Sequence, residues 1–159
     1  MLIIPRKKTK QLQVPDTEFA IVASRYNARY VDYMLRSARA ELKKAGVKKI
    51  RVVRVPGAYE VPVVAMRLAR TYKQSLGAII CLGVILRGKT SHAEHIGHAV
   101  STALMEIQLA HEVPVIHEVL LLENQEQAVQ RCLNPEFNRG MEAAQTALAM
   151  AQVMRVMPV

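Results

Sequence analysis

Ala78-Ile79-Ile80-Cys81-Leu82-Gly83-Val84-Ile85-Leu86 runs apolar without a break, then gives way to Arg87-Gly88-Lys89-Thr90-Ser91-His92. An uninterrupted apolar run reads as a strand buried on both faces, the kind found in parallel sheets covered by helices. Ligands on open parallel sheets bind outside the carboxyl ends of the strands, which locates the chemistry at the Leu86 to Arg87 junction. Thr90 or Ser91 is placed to cap the next helix, whose first backbone N–H groups would face the same point.

Outward from that junction, Phe19 to Ala23 reads as a short buried strand, followed by a helix with Val31, Met34, Leu35, Ala38 and Leu42 on one face. Gly46 is expected to stop this helix. Ile50 to Val55 alternates charged with β-branched residues as a second strand ended by Pro56-Gly57, and a helix starts near Pro62. Beyond the central strand a long helix carries Ile96, Val100, Ala103 and Ile107 in register, with small residues Gly97, Ala99, Ser101 and Ala103 permitting close packing. Pro114 precedes a fourth strand, Val115 to Leu122, and Asn124 with Gln127 forms a capping pair for a helix reaching Cys132. After Asn134-Pro135, a last helix presents Met141, Ala144, Leu148 and Ala151. The alternation predicts a single three-layer α/β/α domain over residues 16–159, with a central, mostly parallel four-stranded sheet. Residues 1–15 form a basic N-terminal arm, and a further N-terminal strand given to or taken from a neighbouring subunit fits the scheme.

At 159 residues and 51% hydrophobic content, the chain can bury one substantial core. Its charge of +9 is uneven: residues 1–80 hold 17 Lys/Arg against 5 Asp/Glu, and residues 81–159 hold 5 against 8. A solvated arm and favourable charges near a helix end explain this excess better than a nucleic-acid surface. With no Trp, two Phe and five Tyr, RNA stacking has little to work with, so no nucleic-acid partner is expected. No apolar run approaches the roughly 18 residues of a membrane span, and no signal core follows the N-terminal charges, so a cytoplasmic protein is expected. Cys81 and Cys132 form no metal or redox spacing and fit a reducing compartment.

Gly83-x-x-x-x-Gly88-Lys89-Thr90 matches the letters of a nucleotide-binding P-loop. Val84, Ile85 and Leu86 nevertheless look like continued strand, where a working loop must wrap around phosphates. A nucleotide triphosphatase is therefore a minor alternative, although Lys89, Thr90 and a helix N-terminus still make a phosphate site. His92, His95 and His98 fan around a helix without the i, i+4 pair of zinc helices, so no metal is expected. His92 lies nearest the helix start, where the dipole favours the neutral imidazole that can accept and return protons. Pro56-Gly57-Ala58-Tyr59-Glu60 and Ser24-Arg25-Tyr26-Asn27 each follow a strand and would meet it at one rim.

Together these segments resemble the 6,7-dimethyl-8-ribityllumazine synthase family across nearly the whole chain. The resemblance rests on Val22 to Asn27, Val55 to Pro62, Gly83 to His92, Glu123 to Arg131 and Asn138 to Ala144. It implies condensation of 5-amino-6-ribitylaminouracil with 3,4-dihydroxy-2-butanone 4-phosphate in riboflavin biosynthesis, without a cofactor. It also implies that Tyr26 stacks on the pyrimidine, that Ala58, Tyr59 and Glu60 bind the ribityl chain, and that Val84, Ile85 and Leu86 line the ring pocket. Lys89, Thr90 and Arg131 would hold the phosphate, and His92 falls on the family's proton-transfer histidine. The expected partners are small-molecule substrates and copies of the same chain in a homopentamer, with His117 and Arg131 reaching the site of the adjacent subunit. Some members assemble a 60-subunit icosahedral shell, and association with riboflavin synthase belongs to the same expectation.

Several positions depart from the family pattern. His117-Glu118 stands where Phe-Gly is usual, Leu121-Leu122 where Thr-Thr is, Ala93 replaces an aromatic, and Lys89 replaces a small residue. Asn134 to Phe137 replaces a Gly-rich turn. The altered wall at His117 motivates a second hypothesis, a non-catalytic binding or shell-forming relative.

Overall fold

The computed structural model of the chain describes residues 16–159, so the basic arm and any strand within it lie outside the described residues. In chain order the strands are β1 (Glu18–Ser24), β2 (Lys49–Val55), β3 (Leu76–Leu86) and β4 (Val115–Leu122). The helices are α1 (Ala28–Lys44), α2 (Val61–Tyr72), α3 (His92–His111), α4 (Gln125–Cys132) and α5 (Arg139–Val156), and a 3₁₀ turn at Ala58–Glu60 leads into α2. The strands form one sheet in the order β2-β1-β3-β4, and every pairing is parallel. The expected fold class is therefore observed, with a wholly parallel sheet among the described residues.

Alternation along the central strands divides the core. Phe19, Ile21, Ile80 and Leu82 pack beneath α1, α4 and α5, whereas Ala20, Val22, Ile79 and Cys81 pack beneath α2 and α3. Both faces of β1 and β3 are thus covered, which is why their sequences lack polar alternation. Gly46 adopts φ 89°, and the Gly46 and Val47 N–H groups close α1 onto the Lys43 and Leu42 carbonyls at 2.9 and 3.1 Å. This paired closure is a Schellman stop, as the glycine suggested.

Two helix faces differ from the sequence reading. On α3 the fully buried stripe is Ala93, Val100, Leu104 and Ile107, with Ala103 only at its margin. Leu104 serves the same i+4 spacing from Val100 and covers more of the sheet. On α5 the buried set includes Gly140, Ala143 and Ala147 beside Ala144, Leu148 and Ala151, because this helix packs on the sheet and against α1 together. At Gly140 α5 packs directly against the α1 backbone, and a Cβ there would overlap the backbone carbonyl of Met34.

Glu118 lies on the α5 side of β4 and is buried. Arg139 grips it with two hydrogen bonds, Nε to Oε2 at 3.0 Å and Nη2 to Oε1 at 3.1 Å. Burial pushes the Glu118 carboxyl above its ordinary range, and Arg139 opposes that rise.

Gly140→Ala is expected to destabilise by about 1–3 kcal/mol through overpacking. At fixed protein concentration the check is thermal unfolding, with Tm falling roughly 2–4 °C per kcal/mol for a chain of this size.

Candidate functional site

The pairing of β1 with β3 stops at Ala23 and Leu82, whereas β3 continues to Leu86. Parallel strands turn successive residues' N–H and C=O groups to alternate neighbours. The Ile79 and Arg87 N–H groups donate to the Pro114 and Leu122 carbonyls, each at 2.8 Å, so odd-numbered β3 residues address β4. Val84 and Leu86 consequently turn their backbone groups toward the side that β1 has vacated. Buried polar backbone needs partners, and a vacated strand edge is where a planar ligand can supply them.

The turns that border this edge are held in place by polar contacts. Asn27, in the left-handed region at φ 56°, spends its side chain on β3: Nδ2 donates to the Val84 carbonyl at 2.7 Å. Arg54 on β2 donates from Nε to the Ala23 carbonyl at 3.1 Å and from Nη2 to the Ser24 carbonyl at 3.0 Å, while pairing with Asp32 of α1 at 2.7 Å. Between these anchors Tyr26 stands out from the surface, 74% exposed. Across the edge, Gly83 has no side chain to obstruct the 3₁₀ turn, since a Cβ would lie 3.2 Å from Val119 and 3.5 Å from Ala58. Glu60 stiffens that turn by accepting from the Gly57 N–H at 2.9 Å through Oε2.

These elements enclose a cleft of about 450 Å³. That volume suits a small-molecule site. Tyr26, Ala58, Tyr59, Glu60, Val84, Ile85, Leu86, Thr90 and His92 all line it. Asn27, Gly57, Gly88, Ala93 and Ile96 complete the wall, and the sequence reading did not assign them roles. Ile96 had only ordinary helix periodicity to signal it, whereas Ala93 stood out only as a small residue in place of the family's aromatic. Lys89 projects exposed beside the cleft without lining it.

At the start of α3, His92 is the first helical residue and is exposed, and its N–H donates to Thr90 Oγ1 across a long 3.4 Å. Ser91 occupies the N-cap position, but its side chain makes no capping bond; its hydroxyl lies 3.3 Å from His95 Nε2. Of the two expected caps, Ser91 therefore makes none, and Thr90 makes only the long bond to the His92 N–H at the amino end of α3. The stretch from Val84 to Leu86 is strand, so the glycines at 83 and 88 do not bound a phosphate-wrapping loop. Among the described residues no group of three His, Cys, Asp or Glu side chains is arranged to hold a metal ion. Cys81 and Cys132 are free and buried, their thiols pushed up by burial to about 12 and about 11. At neutral pH neither supplies a thiolate nucleophile.

A match to the 6,7-dimethyl-8-ribityllumazine synthase family model spans residues 16–155. The chain belongs to the 6,7-dimethyl-8-ribityllumazine synthase family. It is 42% identical over 149 residues to the 6,7-dimethyl-8-ribityllumazine synthase of Xanthomonas oryzae pv. oryzae, covering 92% of this chain and 96% of the relative. A synthase of the same name from Stenotrophomonas maltophilia is 41% identical over 150 residues, with the same coverage. Of the segments that carried the resemblance, Val22 to Asn27, Val55 to Pro62 and Gly83 to His92 contribute to the cleft lining.

His117 and Arg131, which the lumazine synthase resemblance also implicated, do not line the cleft of their own chain. His117 is held at both ring nitrogens: Nδ1 accepts from the Val119 N–H at 3.2 Å, and Nε2 lies 2.7 Å from Ser101 Oγ of α3. An acceptor at Nδ1 requires that nitrogen to be unprotonated, which makes Nε2 the donor to Ser101. Burial lowers the His117 pKa from 6.5, agreeing with a neutral ring. Its neighbour Glu118 faces the opposite side of β4, so the two replacements act in different places.

A lowered pKa in the folded chain favours folding fully above the ordinary value and less as pH falls through the lowered one. Relative to His117→Phe, the native chain should therefore lose stability as pH drops below 6.5. Denaturant unfolding of both proteins across that range checks this; a difference independent of pH contradicts the neutral-ring geometry.

Proposed function

We propose that this chain condenses 5-amino-6-ribitylaminouracil with 3,4-dihydroxy-2-butanone 4-phosphate to 6,7-dimethyl-8-ribityllumazine in riboflavin biosynthesis, as a transferase. The observation that carries this reading is the meeting of Tyr26, Glu60, Thr90 and His92 around one cleft that opens on the uncovered edge of β3. The exposed Tyr26 ring offers a face for a pyrimidine to stack on, and Val84 and Leu86 offer backbone groups to its polar rim. Ala58, Tyr59 and the second carboxylate oxygen of Glu60 take the ribityl hydroxyls. Thr90, Lys89 and the amino end of α3 hold the phosphate dianion.

In the reaction the uracil amine adds to the ketone and loses water to form an imine. Phosphate then leaves, and attack by the second amine with loss of another water closes the ring. The chain's contribution is to orient two substrates and to carry protons at the His92 imidazole.

Assembly belongs to the same proposal. His117 and Arg131 lie outside their own cleft, which agrees with their completing a neighbour's site in a homopentamer. Exposed Val63 and Met66 of α2 and Met105 and Leu109 of α3 supply apolar surface for self-association. The α/β unit of this proposal spans residues 16–159, and the cytoplasm is the proposed location; among the described residues no helix is long and apolar enough to cross a membrane.

Incubating the purified protein with both substrates should yield the lumazine chromophore well above the spontaneous rate. His92→Ala should slow turnover by roughly 10²-fold or more, while pyrimidine affinity, measured by calorimetry, is largely kept. A native protein that binds the pyrimidine but adds nothing to the spontaneous rate would instead be a non-catalytic relative.

A further inference from the structure

Arg87 sits between the β3 edge and the His92 turn, yet the cleft does not use it. Its guanidinium turns away and is committed to carboxylates from two other elements. Nε lies 2.9 Å from Glu123 Oε2, just past the end of β4, and Nη1 pairs with Glu94 in the first turn of α3. The Arg87 backbone is fixed as well, with its N–H on the Leu122 carbonyl at 2.8 Å. Glu123 in turn donates its N–H to Gln127 Oε1 at 2.9 Å, joining this cluster to the capped start of α4.

We infer that Arg87 is a positioning residue whose fork, held by Glu94 and Glu123, fixes the 88–92 turn and so sets where Thr90 and His92 meet the phosphorylated substrate. This inference rests on the synthase reading of the cleft. Gly88 to Ser91 are exposed; the His92 N–H makes one long bond to Thr90 Oγ1, and Ser91 is tied forward to His95 of α3, so little holds the turn at Gly88 to Thr90 from within. The two ends are what is held: Arg87 enters it, and Glu94 follows it by less than one helical turn from His92. One side chain bonding both the exit of β4 and the first turn of α3 defines the span between them. The Arg87 hydrogen bond also holds the Glu94 carboxyl below its ordinary range, so the clamp is closed at neutral pH. Exposed ion pairs contribute little to global stability, which makes the effect local to the turn. A planar guanidinium bridges two carboxylates in a fixed geometry that an ammonium cannot reproduce.

The competing role for Arg87 is direct contact with the phosphate, and Glu94→Gln separates the two by sign. As a clamp partner, Glu94→Gln and Arg87→Lys should both raise KM for 3,4-dihydroxy-2-butanone 4-phosphate, by roughly tenfold to a hundredfold. KM for the pyrimidine should stay within about twofold, because Asn27 and Arg54 hold its side of the cleft independently. If Arg87 were a phosphate ligand, neutralising Glu94 would release the guanidinium and lower that KM, which overturns the inference. Unchanged constants in both variants overturn it too. Amide exchange over residues 88–92 is read on the same proteins without substrate and should be faster in both variants, with residues 24–27 unaffected; equal exchange overturns the clamp. If the native protein forms no product, the synthase reading fails by itself, and the exchange comparison still decides whether the clamp exists.

Discussion

The structure turns on a mismatch in strand length. β3 outlasts its partner β1, and from Gly83 to Leu86 it has β4 on one side and no strand on the other. In a fully covered parallel sheet such a vacancy is costly unless something polar fills it, because backbone groups there have left water without gaining partners. Asn27 fills one position by donating to the Val84 carbonyl. The remaining positions face a cleft of about 450 Å³ bordered by an exposed tyrosine, a carboxylate and an imidazole. Fold and site are therefore one arrangement: the chain leaves β1 early, swings toward β2, and in doing so uncovers the edge that a heteroaromatic ring can read.

Much of this was legible in the sequence, for identifiable reasons. The unbroken apolar run announced β3 because a strand covered on both faces needs no polar alternation. The same property exposed the P-loop letters as accidental, since Val84, Ile85 and Leu86 could not be both strand and phosphate-wrapping loop. Gly46 and the Asn124 with Gln127 pair marked helix ends through local hydrogen bonding that sequence encodes directly. What stayed hidden was whatever depends on distant partners. Nothing near Arg87 indicates that Glu94 and Glu123 hold it, and nothing near Gly140 indicates that Met34 lies against it. The Ser91 cap failed for a similar reason, because the hydroxyl had a second option in His95 one turn ahead.

The family departures also acquire separate meanings. His117 and Glu118 are adjacent in sequence but project from opposite faces of β4, one bonded to Ser101 of α3 and the other to Arg139 of α5. A neutral histidine held at both nitrogens can act as a flat, uncharged wall, so that its presence does not introduce a charge. Glu118 instead builds a buried ion pair that joins β4 to the start of α5, remote from the cleft. Neither change touches the Tyr26, Glu60, Thr90 and His92 rim.

Residue-resolved amide exchange on the isotopically labelled protein, free and saturated with 5-amino-6-ribitylaminouracil, addresses the vacant edge most directly. Bound pyrimidine should slow exchange at Val84 and Leu86, whose groups face the side β1 leaves open, and change little at Ile85, already directed to β4. Protection confined to Ile85, or no change at any of the three in a demonstrably saturated protein, would contradict the account.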